Sequence, residues 1–261
     1  MNLALFINGR LGLKIFDFLV GIPDVEIRYI FLNTEAKRGI EYLDDIQRLV
    51  LNKCPGAEIH VWGDIQKRIY EIKTSLWKID FGVSVFFGHI IPKELINCIP
   101  GGILNLHPSM LPIGRGANPV SWNIIEERPQ GITLHLIDTQ LDTGAVIFQK
   151  EIETSINMSA GTIYEIALQE LFFAFKEYFQ PWISGALEAK GQRDDNVTEH
   201  KAREFDSICK IEHSERATFE EFIRKLQAAT LSNGRMPIFK DIEGNEWSVS
   251  LKLHRDPGTS Q

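Results

Sequence analysis

A chain of 261 residues with a net charge of −7, 44% hydrophobic and 24% charged residues, has material for one domain with an appendage or two small ones, and its composition excludes a disordered chain. No stretch reaches transmembrane length, and residues 186–261 carry 12 Lys/Arg against 14 Asp/Glu, so no basic tail is available to grip a nucleic acid. Cys54, Cys98 and Cys209 are dispersed at no metal or redox spacing, which points to a reducing cytoplasm.

In chain order, residues 3–7 are apolar and read as a buried strand. The run breaks at Asn8-Gly9-Arg10 with no charged leader before it, so it is not read as an export signal. A helix over 12–19, a strand over 26–32, a helix over 41–52, a strand over 58–61, a helix over 65–76, a strand over 81–86 and a short helix over 93–97 follow. Strands are expected over 103–107, 131–137 and 145–151. This alternation predicts an α/β fold, Rossmann-like, with a mostly parallel sheet covered by helices on both faces. The first turn lacks the three-glycine dinucleotide pattern, which leaves a nicotinamide enzyme a weak alternative. A long helix over 162–179 is expected to open with the capping box Thr162-x-x-Glu165. Leu171, Phe172, Phe173, Phe175 and Phe179 crowd its second half beyond one apolar stripe, which implies deep burial, with a subunit interface as the rival and a homodimer as the expected assembly. Residues 184–216 are polar and read as loop or linker. A helix over 219–229 then follows the box Thr218-x-x-Glu221, and a hairpin of 236–239 with 247–253 closes the chain. The expected division is 1–183 for the main domain and 184–261 for the linker and a small α+β unit.

The chemistry-bearing segment is Asn105-Leu106-His107-Pro108-Ser109 with Leu111-Pro112 and Arg115-Gly116, then Gly131-Ile132-Thr133-Leu134-His135 and Leu141-Asp142-Thr143-Gly144. On a strand, Asn105 and His107 project to the same side, roughly 7 Å apart. Pro108 ends that strand, placing His107 where open parallel sheets keep their ligand crevices. Thr133, His135 and Ile137 share a face of the next strand, and Asp142 lies in the loop 138–144. If an amine attacks an acyl carbon, a neutral imidazole suits the general base, and a side-chain amide can donate to the oxyanion without titrating. His107 and Asn105 fit those roles. Asp142 would orient His107, stabilise its protonated form or hold a relaying water. Singly, an Asn or His near a strand end is usually structural, capping a turn or satisfying the backbone. It is the combination with Asp142 that points to acyl transfer.

These motifs resemble the folate-dependent formyltransferase family. The resemblance maps that family's catalytic triad onto Asn105, His107 and Asp142 and its auxiliary histidine onto His135. The Arg-Gly-Ala-Asn-Pro variant at residues 115–119 and the Asp-Thr-Gly form of the acidic loop look most like the sugar N-formyltransferases, which formylate amino sugars carried on a nucleotide diphosphate. The resemblance implies 10-formyltetrahydrofolate as co-substrate, no metal, and backbone recognition of its pterin by two loops that carry Phe86, Phe87, Gly88, His89 and Ile91, and Ile137, Asp138 and Asp142, with His135 beside them. Taken alone, His60 and His89 read as structural histidines. Gly88 suits a close-approaching loop, and the Phe86-Phe87 pair an apolar ring pocket. For the diphosphate, Asn8, Gly9, Arg10, Arg115 and Lys201 are the candidates, although surface Arg and Lys are mostly solvated. The Gly-rich stretch at Arg115 is not a phosphate loop, because no Lys-Ser/Thr follows and no helix is expected to open from it. The implied activity is formylation of a dTDP-linked 3- or 4-amino-dideoxyhexose for bacterial surface polysaccharide such as O-antigen, by an enzyme with small-molecule partners and neither nucleic acid nor membrane. The alternatives are a glycinamide ribonucleotide or methionyl-tRNA formyltransferase, or a non-catalytic sugar-nucleotide binding module.

Overall fold

The computed structural model describes residues 1–33, 43–62, 78–193, 195–212 and 214–254. The strands are β1 (Asn2–Ile7), β2 (Glu26–Leu32), β3 (Glu58–Val61), β4 (Phe81–Val85), β5 (Ile103–His107), β6 (Arg115–Gly116), β7 (Gln130–Leu136) and β8 (Val146–Ile152). All but β6 join one seven-stranded sheet in the order β3-β2-β1-β4-β5-β7-β8. The pairs β2/β3, β1/β2, β1/β4 and β4/β5 are parallel, and β5/β7 is antiparallel. The expected mostly parallel sheet is therefore present, with its direction reversed beyond β5. From Leu3 to Ile7 β1 is apolar because it has a neighbour on each side and is buried on both faces; these five residues are all 0% exposed.

Helices α1 (Gly9–Val20), α2 (Leu43–Lys53) and α3 (Lys93–Ile96) lie between the early strands. α1 begins three residues before the expected start, because Gly9 and Arg10 read as the turn after β1, whereas Leu11 already belongs to the buried period that Ile15, Phe16 and Leu19 continue. Gly9, at φ +65°, turns the chain from β1 into this helix. The helix expected over 65–76 and the first two residues of the one expected over 41–52 lie outside the described residues.

Packing divides the chain into two compact units, each built from several segments: residues 1–107, 133–149 and 170–192, and residues 108–132, 150–169 and 193–261. In the first, Phe6 stacks on Phe31 at 4.5 Å between ring centroids, and Tyr29, Trp62, Ile79, Ile91, Leu95 and Ile103 complete the cluster. In the second, α4 (Pro119–Ile125) and α7 (Phe219–Ala229) face each other around Phe205, Ile208, Cys209, Ala228 and Ala229.

Several elements differ from the sequence reading. α5 (Ala160–Ile183) opens before the Thr162 box, with the Ser159 hydroxyl accepting the Thr162 N–H at 3.2 Å. Its Leu171, Phe175 and Phe179 are buried, whereas Phe173 is 59% exposed. α4 does open directly from the Gly-rich stretch, with Pro119 at its first position, a start that is sterically favoured for proline. The polar stretch expected as linker holds β9 (Glu199–His200), α6 (Phe205–Cys209) and β10 (Lys210–Ile211). Its average polarity hid the three spaced residues, Phe205, Ile208 and Cys209, that carry its burial. β10 pairs with β11 (Ile238–Lys240), which pairs antiparallel with β12 (Glu246–Ser248), so the expected hairpin has a third strand. Its turn is built by Asp241, which accepts from the Trp247 indole, the Asn245 amide and the N–H groups of Glu243 and Asn245.

The capping box at α7 is present as expected, with the Thr218 hydroxyl accepting the Glu221 N–H and the Glu221 carboxylate accepting the Thr218 N–H. Thr218→Ala should lower stability by about 1 kcal/mol, a loss that urea unfolding of wild type and variant will read; an unchanged midpoint would show that the cap contributes nothing.

Candidate active site

The C-terminal ends of the four parallel strands β2, β1, β4 and β5 bring Asn33, Asn8, Phe86 and His107 to one edge of the sheet, the edge at which open α/β sheets place ligands. Asn8 is 6% exposed, and its N–H bonds to the Val85 carbonyl at 3.0 Å, tying the end of β1 to the end of β4.

The antiparallel register sets the core of the site. Asn105 lies opposite His135, and His107 opposite Thr133, so all four project from one face. His135 is 1% exposed. Its Nδ1 lies 2.9 Å from the Leu136 carbonyl, which requires the proton on Nδ1 and leaves Nε2 as an acceptor. The Asn105 Nδ2 donates to that acceptor at 2.9 Å. This fixes the amide with its nitrogen toward His135, and the second N–H of the same group remains for a ligand. Burial, the largest cause, pushes the His135 pKa down from 6.5 to about 4; Asp142 opposes the shift, His107 adds to it, and the Leu136 carbonyl and Asp138 oppose it more weakly. At neutral pH His135 is therefore an uncharged orienting group.

The Asp142 carboxylate reaches both imidazoles, with one oxygen 3.7 Å from His107 Nδ1 and the other 3.7 Å from His135 Nε2. These separations are looser than hydrogen bonds, as catalytic contacts often are before substrate arrives. The two rings stand edge to face, 6.1 Å apart. The His107 side chain is buried at 6% exposure and that of Asp142 is partly buried at 12%, so a charge formed on the imidazole would meet the carboxylate in surroundings of limited polarity.

The loop that carries Asp142 is held at both ends. The Asp138 carboxylate accepts from the Gln140 N–H at 3.0 Å and the Thr143 hydroxyl at 2.6 Å. Gly144 returns the chain so close to β7 that a Cβ would lie 1.8 Å from the Leu136 carbonyl oxygen. Asp142 itself has φ +53°, and the Gln192 side chain donates to the carbonyls of Asp142 and Gly144. Ile137 packs against the core cluster of the first unit.

In the loop after β4, Phe86 has φ +50°, and Gly88 donates its N–H to the Asn33 side-chain Oδ1 at 3.1 Å. The rings of Phe87 and His89 pack against Trp62, at 5.3 and 4.9 Å, and Ile91 is 4% exposed. Their side chains are thus engaged in the core, and the exposed Gly88 leaves this loop's main chain accessible to a flat ligand. His60 stacks beside Tyr29 and Phe31, as the structural reading expected. Sequence reasoning missed Asn33, Trp62 and Gln192.

The candidate phosphate ligands divide between the units. Asn8, Gly9 and Arg10 lie in the first, with Arg10 exposed at the start of α1. In the second, β6 pairs parallel with β9, Arg115 opposite Glu199 and Gly116 opposite His200, and Lys201 directly follows β9. The Glu126 carboxylate lies 2.6 Å from His200, whose ring stacks on Trp122 at 3.9 Å. Among the described residues no group of three or more His, Cys, Asp or Glu is placed to hold a metal ion, and no helix is long and apolar enough to cross a membrane.

A half-buried amide donor, an imidazole and a carboxylate on one strand face and its adjoining loop are equipped to move a proton while stabilising an oxyanion. Comparison with known proteins agrees with that chemistry. Residues 65–171 match the formyl transferase family. The chain is 28% identical over 235 residues to a dTDP-4-amino-4,6-dideoxyglucose formyltransferase of Mycobacterium tuberculosis, covering 90% of this chain and 95% of that one. It is 43% identical over 91 residues to a methionyl-tRNA formyltransferase of Clostridium perfringens, which is 34% of this chain and only 29% of that protein. A crystal structure of a 4-N formyltransferase from Francisella tularensis superposes with a TM-score of 0.81 at 22% identity over 98% of both chains.

Since the His135 pKa is lower folded than in the unfolded chain, the stability it contributes is fully present above about pH 6.5 and is lost as pH falls through about 4. His135→Gln, which keeps an acceptor for Asn105, should remove on the order of 3 kcal/mol of that acid sensitivity. Urea unfolding of both proteins at pH 7 and pH 4 measures it, and equal acid losses would contradict a neutral buried His135.

Proposed function

On the premise that residues 65–171 are a formyl transferase domain, we propose that the chain transfers a formyl group from 10-formyltetrahydrofolate to the amino group of a nucleotide-linked deoxyamino sugar, a dTDP-linked 3- or 4-amino-dideoxyhexose in the first instance. The observation that carries this reading is the Asn105 amide held by neutral His135, with its second N–H available beside His107 and Asp142. The relative that acts on a dTDP-amino sugar supports the acceptor class, because its similarity extends over 95% of its length. The methionyl-tRNA formyltransferase match covers under a third of that protein, and the charge balance of residues 186–261 gives RNA no basic surface to explain.

In the proposed reaction the sugar amine attacks the formyl carbon attached to folate N10, and the carbonyl π electrons move to oxygen. Asn105 donates to that oxyanion, a contact stronger in the tetrahedral intermediate than in the planar substrate. His107 takes the proton released by the attacking nitrogen, while Asp142 stabilises the imidazolium. Collapse of the intermediate breaks the carbon–N10 bond, and N10 leaves with the proton that the His107 imidazolium gives back, which restores the neutral ring. The products are the N-formyl sugar and tetrahydrofolate, and no covalent enzyme intermediate is involved.

The main chain of loops 86–91 and 137–142 is the proposed pterin site, and Asn8, Gly9, Arg10, Arg115 and Lys201 are the proposed diphosphate ligands. We assign the protein to the cytoplasm, as a homodimer serving surface polysaccharide such as O-antigen. The exposed Phe173 on α5 is compatible with a second copy.

Incubation with 10-formyltetrahydrofolate and a panel of dTDP-, UDP- and GDP-linked amino sugars, read by mass spectrometry for the gain of CO, tests donor and acceptor together; no product with any acceptor would refute the reading. Asn105→Ala should lower kcat on the order of 100-fold or more with sugar-nucleotide affinity nearly intact. A collapse of affinity with kcat preserved would make Asn105 a binding residue. His107→Asn and Asp142→Asn should each nearly abolish turnover, and the double variant should be scarcely slower than either, because residues acting as one unit are not additive. Multiplicative losses in those rates would mean that the two work independently.

A further inference from the structure

Resting on the role assigned above to Asp142, we propose that Gln192 is a positioning residue for formyl transfer, holding the Asp142 carboxylate between the two imidazoles by clamping the main chain on either side of Thr143. The Gln192 amide nitrogen has two hydrogens, and both are engaged: one carbonyl acceptor is Asp142 at 2.7 Å, the other Gly144 at 2.9 Å. The clamp is remote in sequence, 50 residues from Asp142. It is anchored independently, since Lys190 and Val146 exchange a pair of backbone hydrogen bonds at 2.7 and 2.8 Å two residues before Gln192. The segment that bears Gln192 is thereby fixed to the same stretch of chain that Gly144 leads into.

The clamp acts where the loop is under most constraint. Asp142 adopts φ +53°, a left-handed conformation that a side-chain-bearing residue does not hold without help from its surroundings. Asp138 ties the front of the loop through Gln140 and Thr143, and Gln192 ties the part that carries the reactive carboxylate. That carboxylate lies between the two rings, one oxygen 3.7 Å from His107 Nδ1 and the other 3.7 Å from His135 Nε2, so a small rotation changes its distance from the His107 nitrogen that would carry the charge. A loosened main chain would misplace the charge by about 1 Å, enough to cost on the order of 100-fold in rate.

Gln192→Glu preserves size while replacing both donors with a carboxylate set against two carbonyls. It should lower kcat on the order of 10- to 100-fold, with KM for both substrates within about threefold. Because Gln192 acts through Asp142, the Asp142→Asn/Gln192→Glu double variant should be no slower than Asp142→Asn alone. Gln192→Ala introduces no repulsion and carries the same expectations if the glutamate variant does not fold. An unchanged kcat, a change confined to KM, or a further multiplicative loss in the double variant overturns the assignment. Failure of the wild-type chain to formylate any acceptor removes the functional reading and this inference with it, whereas normal wild-type turnover with unimpaired Gln192 variants removes the inference alone.

Discussion

Because His135 is packed between strands with its Nδ1 proton committed to the Leu136 carbonyl, its Nε2 lone pair is the feature that decides which way the Asn105 amide faces. An imidazolium at that position would repel the amide hydrogens and force the group to present oxygen, abolishing the donor a developing oxyanion needs. Burial is thus put to chemical use: the same low-polarity surroundings that keep the proton off Nε2 also strengthen the hydrogen bond it accepts. The antiparallel turn-back of β7 makes this possible, since it sets His135 directly across from Asn105 and Thr133 across from His107.

The two histidines are consequently differentiated by their surroundings. His135 is held in one tautomer and one charge state. His107 ends its strand with its Nδ1 3.7 Å from the Asp142 carboxylate, and it is the ring proposed to gain and lose the proton. Asp142 touches both without hydrogen bonding tightly to either, which keeps its charge available to the ring that becomes cationic. A pair of like residues with divergent environments is a recurrent way of dividing positioning from proton transfer.

The polar residues of the site were legible because strand periodicity is local: Asn105 and His107 differ by two positions, and a proline ends their strand. The sheet was legible for the same reason, through the apolar run of residues 3–7 and the alternation of residues 103–107. What the chain order concealed was contact between distant segments. Gln192 lies in a polar stretch with no pattern of its own, and Asn33 is one amide after a strand; only the folded backbone shows that each bonds to a functional loop. α4 was hidden by Gly, Pro and Asn at its entrance, which read as turn although proline is well suited to a helix's first position. The Phe86-Phe87 pair reads as an apolar ring pocket and His89 as structural; what chain order does not show is that Trp62 packs edge-on to Phe87 and stacks on His89.

Each compact unit is assembled from three separate stretches of chain, and the first is closed only by residues 170–192. During synthesis, the strands that end at His107 emerge long before the segment that latches onto Val146 and the Asp142 loop. A nascent chain therefore carries Asn105, His107 and Asp142 before the amide that bonds to the Asp142 loop has been made. Genetic fragments meet the same boundary: a piece cut at the end of α5 retains every residue of the triad but omits the amide that latches its carboxylate-bearing loop.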